Sequence, residues 1–307
     1  MKTRVIKENK LTLIEITVGE FVVTLCDLGA SLYGIKYHKD EMILRVKNPS
    51  DYLLSDLYFG KTIGRVCGRS SIQPFEIDGE KYHLQDNNNG ASLHGGLDGL
   101  SNKFFNYDIF ENPTSVIVTF EYLSKDKEAG YPGNLSLKVI YTISKDKILL
   151  KFVADTDKPC LLSLTNHAYF NLGEDDVNKL WIKAKASKCV QFDERLFPVK
   201  LVDVEHKWNF QEGKDLLTTG EIDNYFLFDE SKEVVLASKK YKLSIKTDFL
   251  GVQLYTDNFI TNAEVTSSEK ETHRSIAIEP EDNPLDRKVL RPNTDYERNI
   301  EYRFEKL

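Results

Sequence analysis

The chain has 307 residues, of which 41% are hydrophobic, so it can bury a large core as one long β domain or as two ordinary domains. Its formal net charge of -7 argues against a nucleic-acid-binding protein, because phosphate neutralisation requires clustered Lys and Arg on a basic surface. No apolar run approaches the roughly 18 residues that a membrane-spanning helix requires. We therefore expect no nucleic acid and no membrane as partner, and a small neutral molecule fits better.

The first residues and the cysteines indicate the compartment. Glu15 interrupts the only early apolar run before it could act as the core of a signal peptide. The cysteines, Cys26, Cys67, Cys160 and Cys189, are far apart, with no C-x-x-C pair and no neighbouring His at zinc-finger spacing. We interpret them as free thiols, predict no metal site and expect a cytoplasmic protein.

Period-two alternation and many β-branched or aromatic residues predict strands along most of the chain. The predicted strands cover, in chain order, residues 11–18, 21–25, 115–123, 135–143, 148–153, 181–186, 234–237, 241–247, 251–256, 275–278 and 296–304. S-K-D-K clusters at 124–127 and 144–147 suit antiparallel hairpin turns, so residues 115–155 are predicted to form a three-stranded meander.

The stretch 199–223 is the least regular part of the sequence, and we interpret it as long connections that cross the edge of the fold. Convincing helices are scarce, and no linker rich in Pro, Gly or Ser interrupts the strand series. We therefore predict an all-β protein with few or no helices, in which residues 1–307 form a single large antiparallel β-sandwich.

Several familiar catalytic motifs are absent, which narrows the chemistry. The sequence has no G-x-S-x-G, no H-E-x-x-H and no G-x-G-x-x-G. An acid–base enzyme or a binding module remains. Two histidines stand in unusual segments, His94 in S-L-H-G-G-L-D-G-L and His167 in L-T-N-H-A-Y-F-N-L-G. A lone His is more often structural than catalytic, so these two need further context.

That context comes from segments that resemble, in the same chain order, the aldose 1-epimerase (galactose mutarotase) family. They are G-R-V-C-G-R-S-S at 64–71, L-H-G-G at 93–96, A-G-Y-P-G-N-L at 129–135, T-N-H-A-Y-F-N-L at 165–172, I-A-I-E-P at 276–280 and L-R-P-N-T-D-Y at 290–296. The resemblance runs from about residue 10 to the end. It implies a large antiparallel β-sandwich, the fold class that the strand pattern predicts independently.

The resemblance also implies a reaction, the interconversion of the α and β anomers of a free hexose such as glucose or galactose. A base takes the proton of the anomeric hydroxyl while an acid protonates the ring oxygen, so only protons move and no cofactor is required. The resemblance places the base at Glu279 and the acid at His167. A carboxylate with a pKa of about 4.3 is ionised at neutral pH, and an imidazole titrates nearer to neutrality.

The same resemblance assigns sugar binding to Arg69, His94 and Asp223, where the arginine and the carboxylate would bind ring or hydroxyl oxygens. The sequence departs from the family pattern at two positions. Asn224 follows Asp223 where the family usually has His, and Gly68 stands where Asn often precedes the motif arginine. Both departures bear on which sugar is preferred. Tyr169 and Phe170 are expected in the core, since aromatic residues on strands usually pack inward.

Other interpretations stay open on the sequence. A hexose-6-phosphate 1-epimerase would need a basic cluster near the site, for which Arg65 and Arg69 are the only close pair. A non-catalytic sugar-binding domain could keep Asp223 without the pair of Glu279 and His167. A glycosidase would need two carboxylates at a suitable separation. The partner in each case is a small sugar, and the sequence does not choose between a monomer and a homodimer.

Overall fold

A computed structural model of the chain describes residues 1–54, 58–260, 264–266 and 269–307. The strands of the first part are β1 (Lys2–Glu8), β2 (Leu11–Val18), β3 (Phe21–Cys26), β4 (Ser31–Tyr37), β5 (Asp40–Glu41), β6 (Thr62–Ile63), β7 (Arg69–Ser71), β8 (Phe75–Ile77), β9 (Glu80–Tyr82) and β10 (Ala91–Leu93). Those of the middle part are β11 (Asn106–Glu111), β12 (Val116–Ser124), β13 (Leu135–Ser144), β14 (Lys147–Thr156), β15 (Cys160–Leu161), β16 (Thr165–Asn166), β17 (Tyr169–Phe170), β18 (Trp181–Ala184), β19 (Lys188–Phe192) and β20 (Pro198–Asp203). The last are β21 (Lys214–Asp215), β22 (Asp223–Leu227), β23 (Glu233–Ala237), β24 (Tyr241–Thr247), β25 (Gly251–Tyr255), β26 (Ile276–Glu281), β27 (Val289–Leu290) and β28 (Tyr296–Lys306).

Helical structure in the described residues is limited to short 3-10 segments, as the scarcity of helical patterns predicts. They are Pro49–Leu53, Leu100–Asn102, Glu128–Gly130, Val177–Lys179, His206–Trp208 and Leu216–Thr218. Within the described part of the chain, no helix is long and apolar enough to cross a membrane.

Three large antiparallel sheets form the architecture. A nine-stranded sheet has the order β11-β12-β13-β14-β28-β24-β23-β18-β21, a six-stranded sheet has the order β17-β26-β25-β22-β19-β20, and a five-stranded sheet runs from β1 to β5 in sequence order. The last long strand, β28, lies between β14 and β24, so the chain end completes the middle of the largest sheet. This arrangement confirms the predicted antiparallel β-sandwich.

Alternation along the strands divides the six-stranded sheet into two faces. On β26, Ile276 and Ile278 belong to the main hydrophobic core, which they share with Val139 and Phe152 of the nine-stranded sheet. Glu279 therefore points to the opposite face. The next strand repeats the pattern, because Leu254 lies in the core. The core thus fixes which side chains of this sheet face away from it.

The meander is confirmed, but only one of the two predicted turns is a tight hairpin. β13 pairs with both β12 and β14. The turn at 144–147 is tight, since β13 ends at Ser144 and β14 begins at Lys147. The segment 124–127 also begins an antiparallel hairpin connection, as predicted, but this loop is longer than a tight turn because the next strand begins only at Leu135. A longer connection fills the space, and it holds a buried arginine that is described below.

The interpretation of residues 199–223 as irregular connections needs correction. β20 covers the beginning of this stretch, up to Asp203, and pairs with β19 at the edge of the six-stranded sheet. Its residues are largely exposed, so an edge strand of this kind shows little of the buried and exposed alternation that predicts a strand. The four cysteines are free, as predicted, and all four are buried.

Candidate active site

The face of the six-stranded sheet turned away from the main core forms the floor of a cavity of about 460 Å³. Every strand of this sheet contributes a lining residue: Tyr169 from β17, Glu279 from β26, Gln253 from β25, Asp223 from β22, Phe192 from β19 and Pro198 from β20. Connections and short strands complete the wall. The residues predicted from the sequence, Arg69, His94, His167, Asp223 and Glu279, all line this cavity.

His167 and Glu279 meet at the bottom of the cavity. His167 Nε2 lies 3.3 Å from Glu279 Oε1, and the side chains are 5% and 3% exposed. The backbone around the imidazole is tied down, because His167 N donates to Lys61 O and Gly60 N donates to His167 O. Thr165 Oγ1 donates to the carbonyl of Pro280 and links the two chain segments. The two groups are thus held at a distance that allows direct proton transfer.

Burial changes the protonation expected for this pair. It lowers the pKa of His167 to about 3 and raises the pKa of Glu279 well above its ordinary value, and the charges of Glu281 and Asp223 raise the latter further. The expectation of a carboxylate with its ordinary pKa beside an imidazole that titrates nearer to neutrality is therefore wrong. These directions leave one proton on the pair in the neutral range, on the Glu279 carboxyl beside a neutral imidazole.

Two aromatic rings hold the imidazole of His167 in plane. The ring of Tyr169 stacks on it with a centroid separation of 4.8 Å, and Tyr58 stacks at 5.8 Å. Tyr169 is 2% exposed and packs in the second hydrophobic cluster, while Phe170 lies in the main core, so both are buried as predicted. Tyr169 in addition lines the cavity. Its ring restricts the imidazole to one plane.

His94 is oriented by the loop that precedes Arg69. Gly68 N donates to His94 Nδ1 at 3.3 Å, and His94 N donates to Gly68 O at 3.0 Å. Burial, followed by the charges of His167 and Arg69, lowers the pKa of His94 well below its usual value, so the ring is neutral. A neutral ring that accepts at Nδ1 carries its proton on Nε2. His94 is therefore a hydrogen-bond donor toward the cavity.

The glycines of this region have a steric purpose. Gly95 has a φ of +92°, and a Cβ atom there would lie 1.9 Å from the carbonyl oxygen of Gly64. Gly68 has a φ of +67°, the left-handed region that Gly and Asn adopt most readily. The departure from Asn to Gly at this position therefore keeps the backbone shape and removes a side chain from the cavity wall.

Arg69 and Asp223 both line the cavity. Arg69 Nε donates to Asn88 Oδ1 at 3.4 Å, and Asp223 Oδ1 accepts from Gln253 Nε2 at 2.7 Å. Burial raises the pKa of Asp223, while the Arg69 charge and the Gln253 hydrogen bond oppose that rise. Within the described part of the chain no group donates to the other Asp223 oxygen, which suits the acceptance of a hydrogen bond from a sugar hydroxyl.

Arg65 is not part of the site, which corrects its pairing with Arg69 in the phosphate hypothesis. Its guanidinium is buried and donates to the carbonyl oxygens of Ser124, Lys125, Pro132 and Gly133. It therefore holds the long connection between β12 and β13.

A different arginine, Arg287, lines the cavity beside Arg69. It donates to Ser70 Oγ and to the carbonyl oxygens of Cys67 and Arg69, so it stabilises the position of β7.

Several lining residues were not predicted from the sequence. Gln253 lies on a predicted strand, but nothing in its neighbourhood marks it, and Arg287 lies in a connection without a distinctive pattern. Glu281 does carry a signal, since it stands two residues after Glu279 and strand alternation puts both on one face. Asn224 faces away from the cavity lining, and its Oδ1 accepts from Tyr225 N.

The fold agrees with the comparisons to known proteins. A family profile described as aldose 1-epimerase matches residues 12–303. A galactose mutarotase of Rattus norvegicus is 30% identical over 237 residues, which cover 72% of this chain and 68% of the rat protein. A maltose epimerase of Levilactobacillus brevis is 28% identical and covers 77% of this chain and 76% of its own. A solved structure of galactose 1-epimerase from Lactobacillus acidophilus has a TM-score of 0.92 at 23% identity, with 99% of each chain covered.

The chain therefore belongs to the aldose 1-epimerase family. As a member of that family it is an isomerase with a galactose mutarotase-like β-sandwich.

Proposed function

We propose that the protein interconverts the α and β anomers of a free hexose such as glucose or galactose, with Glu279 and His167 as the proton-transferring groups. The observation that carries this proposal is the 3.3 Å separation of His167 Nε2 and Glu279 Oε1 at the bottom of the cavity. The two atoms can reach the anomeric hydroxyl and the ring oxygen, which are bonded to the same carbon of the sugar. Both groups are almost fully buried, so bulk water competes little for the protons.

The chemistry follows from that position. Glu279 takes the proton of the anomeric hydroxyl while His167 gives its proton to the ring oxygen, the bond between C1 and the ring oxygen breaks, and an aldehyde forms. Rotation about C1–C2 presents the other face of the aldehyde. The new hydroxyl then attacks that face, returns its proton to His167, and Glu279 returns its proton to the anomeric oxygen. Protons are conserved over the cycle, and no cofactor is needed.

The shared proton explains how a buried pair can serve both roles. With one proton between them, the pair is either a neutral carboxylic acid beside a neutral imidazole or a carboxylate beside an imidazolium. Burial favours the neutral arrangement, and the hydroxyls of a bound sugar stabilise the charged one. Transfer across 3.3 Å converts one into the other without exchange with solvent.

Arg69, His94 and Asp223 are proposed to orient the sugar. Arg69 and the Nε2–H of His94 donate to oxygen atoms of the ring or its substituents, and Asp223 accepts from a hydroxyl. Gln253 holds the Asp223 carboxylate at 2.7 Å and leaves its second oxygen available. This mixture of fixed donors and acceptors suits a neutral polyhydroxylated ligand.

A free hexose is favoured over a hexose 6-phosphate by the charges that line the cavity. The carboxylates of Asp223, Glu279 and Glu281 line it together with Arg69 and Arg287, and Arg287 already donates to three oxygen atoms of the protein. Asp223 and the ionised form of Glu281 would repel a phosphate, which would also find few unused donors.

The remaining proposals concern the molecule as a whole. We propose that residues 1–307 form one domain, because strands from distant parts of the chain complete the same sheets. The four free buried thiols support a cytoplasmic location. No membrane or nucleic-acid partner is proposed, and the oligomeric state, monomer or homodimer, is left to solution measurement.

Polarimetry tests the function directly. Freshly dissolved α-glucose, α-galactose, maltose and a hexose 6-phosphate are each followed with and without enzyme. Acceleration on glucose or galactose is expected, and acceleration on the phosphate alone would overturn the proposal. Maltose is included because one relative is named maltose epimerase, and a rate on maltose equal to that on galactose would widen the substrate class to reducing disaccharides.

A further inference from the structure

A second carboxylate, Glu281, lies beside Glu279 on the cavity floor. The two residues are separated by one position on β26, so alternation turns both side chains to the same face, and both line the cavity. Glu281 is only 5% exposed. Gly251 stands opposite Glu281 on β25 and has no side chain that could cover the carboxylate. The fold thus buries two carboxylates side by side, an arrangement that needs a reason.

The Glu281 carboxylate is held by a thiol. Cys67 Sγ donates to Glu281 Oε2 at 2.6 Å, and the same sulfur lies 3.2 Å from Ser163 Oγ. Arg287 lies nearby and its charge favours the ionised form of Glu281, but its guanidinium donates to Ser70 and to two backbone carbonyls. Glu281 is thus fixed by a neutral donor, and its negative charge can act on its neighbours.

The groups that face these carboxylates fall into two sets. The charged or titratable ones are Asp223, Asp282, Arg69, Arg287, His94 and His167. The others are Cys67, Tyr169, Tyr225 and Tyr302, and burial raises the pKa of each, so they stay neutral. Burial raises the pKa of Glu281 to about 7, with Cys67 and Arg287 opposing the rise and Asp282 adding to it. Glu281 therefore gains its charge within the neutral range.

We propose that Glu281, held by Cys67 on the cavity floor, is a positioning residue whose negative charge keeps the shared proton on the pair of Glu279 and His167. The inference rests on the proposed function and deepens it. Loss of the last proton from the pair would leave Glu279 ionised beside an ionised Glu281, and both side chains are almost fully buried. Repulsion between the two carboxylates opposes that loss, so the pair keeps its proton in mildly alkaline solution.

Glu281→Gln tests this because the amide keeps the size of the side chain and an oxygen that can accept from Cys67. The pair should then lose its proton at lower pH, so the alkaline limb of the kcat/KM profile should move to lower pH by roughly one unit. The acidic limb should stay in place, because in acid Glu281 is protonated and as neutral as glutamine. A purely structural role would lower the rate without moving either limb.

Two matched variants test whether the shift of the alkaline limb depends on a negative charge at position 281 or on any negative charge nearby. Glu281→Asp keeps the carboxylate, so the alkaline limb should stay near its wild-type pH. Asp282→Asn removes one negative charge at the next position, where the carboxylate accepts from Arg298 Nη2 at 3.0 Å. It should not move the limb to lower pH. An unmoved limb in Glu281→Gln, or an equal shift in Asp282→Asn, would overturn the proposal.

A measurement without sugar keeps this inference distinct from the proposed function. In protein labelled with ¹³C at the glutamate carboxyl carbons, the Glu279 signal is assigned as the one missing from Glu279→Gln. Its titration midpoint should fall in Glu281→Gln, and an unchanged midpoint would refute the coupling. If the wild type accelerates no aldose, the proposed function fails while this midpoint still decides the coupling.

A third variant serves if Glu281→Gln does not fold. Cys67→Ala leaves both carboxylates in place and removes a hydrogen bond that stabilises the ionised form of Glu281. The Glu281 midpoint should then rise in the same labelled protein. A midpoint that stays in place would show that the thiol does not hold the carboxylate and would overturn the proposal.

Discussion

Replacement of Glu279 by glutamine is the sharpest test of the proposed mechanism. The amide has the shape of the carboxyl group but lacks a basic oxygen at neutral pH. The side chain is 3% exposed and faces the cavity, so the substitution disturbs little packing. Its oxygen and nitrogen atoms take the positions of the two carboxylate oxygens, of which Oε1 lies 3.3 Å from His167 Nε2. The variant should therefore keep the fold and the arrangement of the site while it loses one proton-transferring group.

The expected loss follows from the surroundings of Glu279. One positioned proton-transfer group contributes a factor of about 10²–10⁴ in rate, which corresponds to about 2.7–5.5 kcal/mol in activation free energy. Burial leaves little room for bulk water to act as the base, so we expect kcat to fall within that range. Asp223 and Glu281 line the same cavity, and the residual rate measures how far either can substitute.

The assay is polarimetry of α-galactose or α-glucose, corrected for the uncatalysed rate at each pH. Glu121→Gln is the matched control, because Glu121 lies on β12, is 53% exposed in its side chain and pairs only at the surface with Lys138. It should retain wild-type kcat. The assignment of Glu279 would be abandoned if Glu279→Gln kept more than about a tenth of wild-type kcat with the fold intact. The loss in kcat would then be smaller than the contribution of a general base.

Thermal unfolding supplies an independent check. Burial raises the pKa of Glu279 in the folded protein, so ionisation of this group opposes folding. The stability that it contributes is present below its unfolded pKa and is lost as the pH rises through the folded value. Glu279→Gln should therefore have the same Tm as the wild type in acid and a higher Tm in mildly alkaline solution. A lower Tm in alkaline solution would contradict this account.

The remaining predictions concern the other parts of the site and the whole chain. His167→Asn should cost a factor in kcat similar to Glu279→Gln, and the double variant should lose much less than the product of the single losses, because both groups serve one coupled step; multiplicative losses in polarimetry would show independent roles. Asp223→Ala should mainly raise KM, by roughly tenfold to a hundredfold, because a hydrogen bond to a charged group is lost from bound substrate and transition state alike; a fall confined to kcat would assign Asp223 to the chemistry. Asn224→His should leave the ratio of rates on glucose and galactose unchanged, since the Asn224 side chain is not part of the cavity lining. Far-ultraviolet circular dichroism and intrinsic fluorescence should report one cooperative unfolding transition with the same midpoint, and two separate transitions would contradict a single domain.

The fold was predictable from local pattern because its long strands alternate clearly. The predicted strands at 135–143 and 148–153 fall within β13 and β14, where every second residue is buried against the core. The pattern failed at β20, which is exposed on an edge and lacks that alternation. The predicted strand at 275–278 also stops too early, one residue before Glu279. β26 continues through Pro280, which stands opposite Val252, and a proline normally suggests the end of a strand.

The candidate site was predictable only where motifs mark its residues. His167 and Glu279 lie in segments that resemble a family, and the structure brings them within 3.3 Å. Gln253 and Arg287 carry no local signal, because their roles depend on strand register and on a loop that returns to β7. The protonation of the pair was also beyond the sequence. A pKa depends on burial and on neighbouring charges, and both arise only when distant segments meet.

The buried guanidinium of Arg65 has a consequence for how the arginine motif at 64–71 is understood. Most of its partners are main-chain carbonyl oxygens of residues 124–133, and a carbonyl is the same whatever side chain its residue carries. The connection can thus change in composition while its path is preserved. One motif therefore contains an arginine that lines the candidate cavity and another that stabilises a loop. If Arg65 is kept among related proteins, the reason would be the shape of this loop rather than the reaction. A loop transplanted without this arginine would lose its shape.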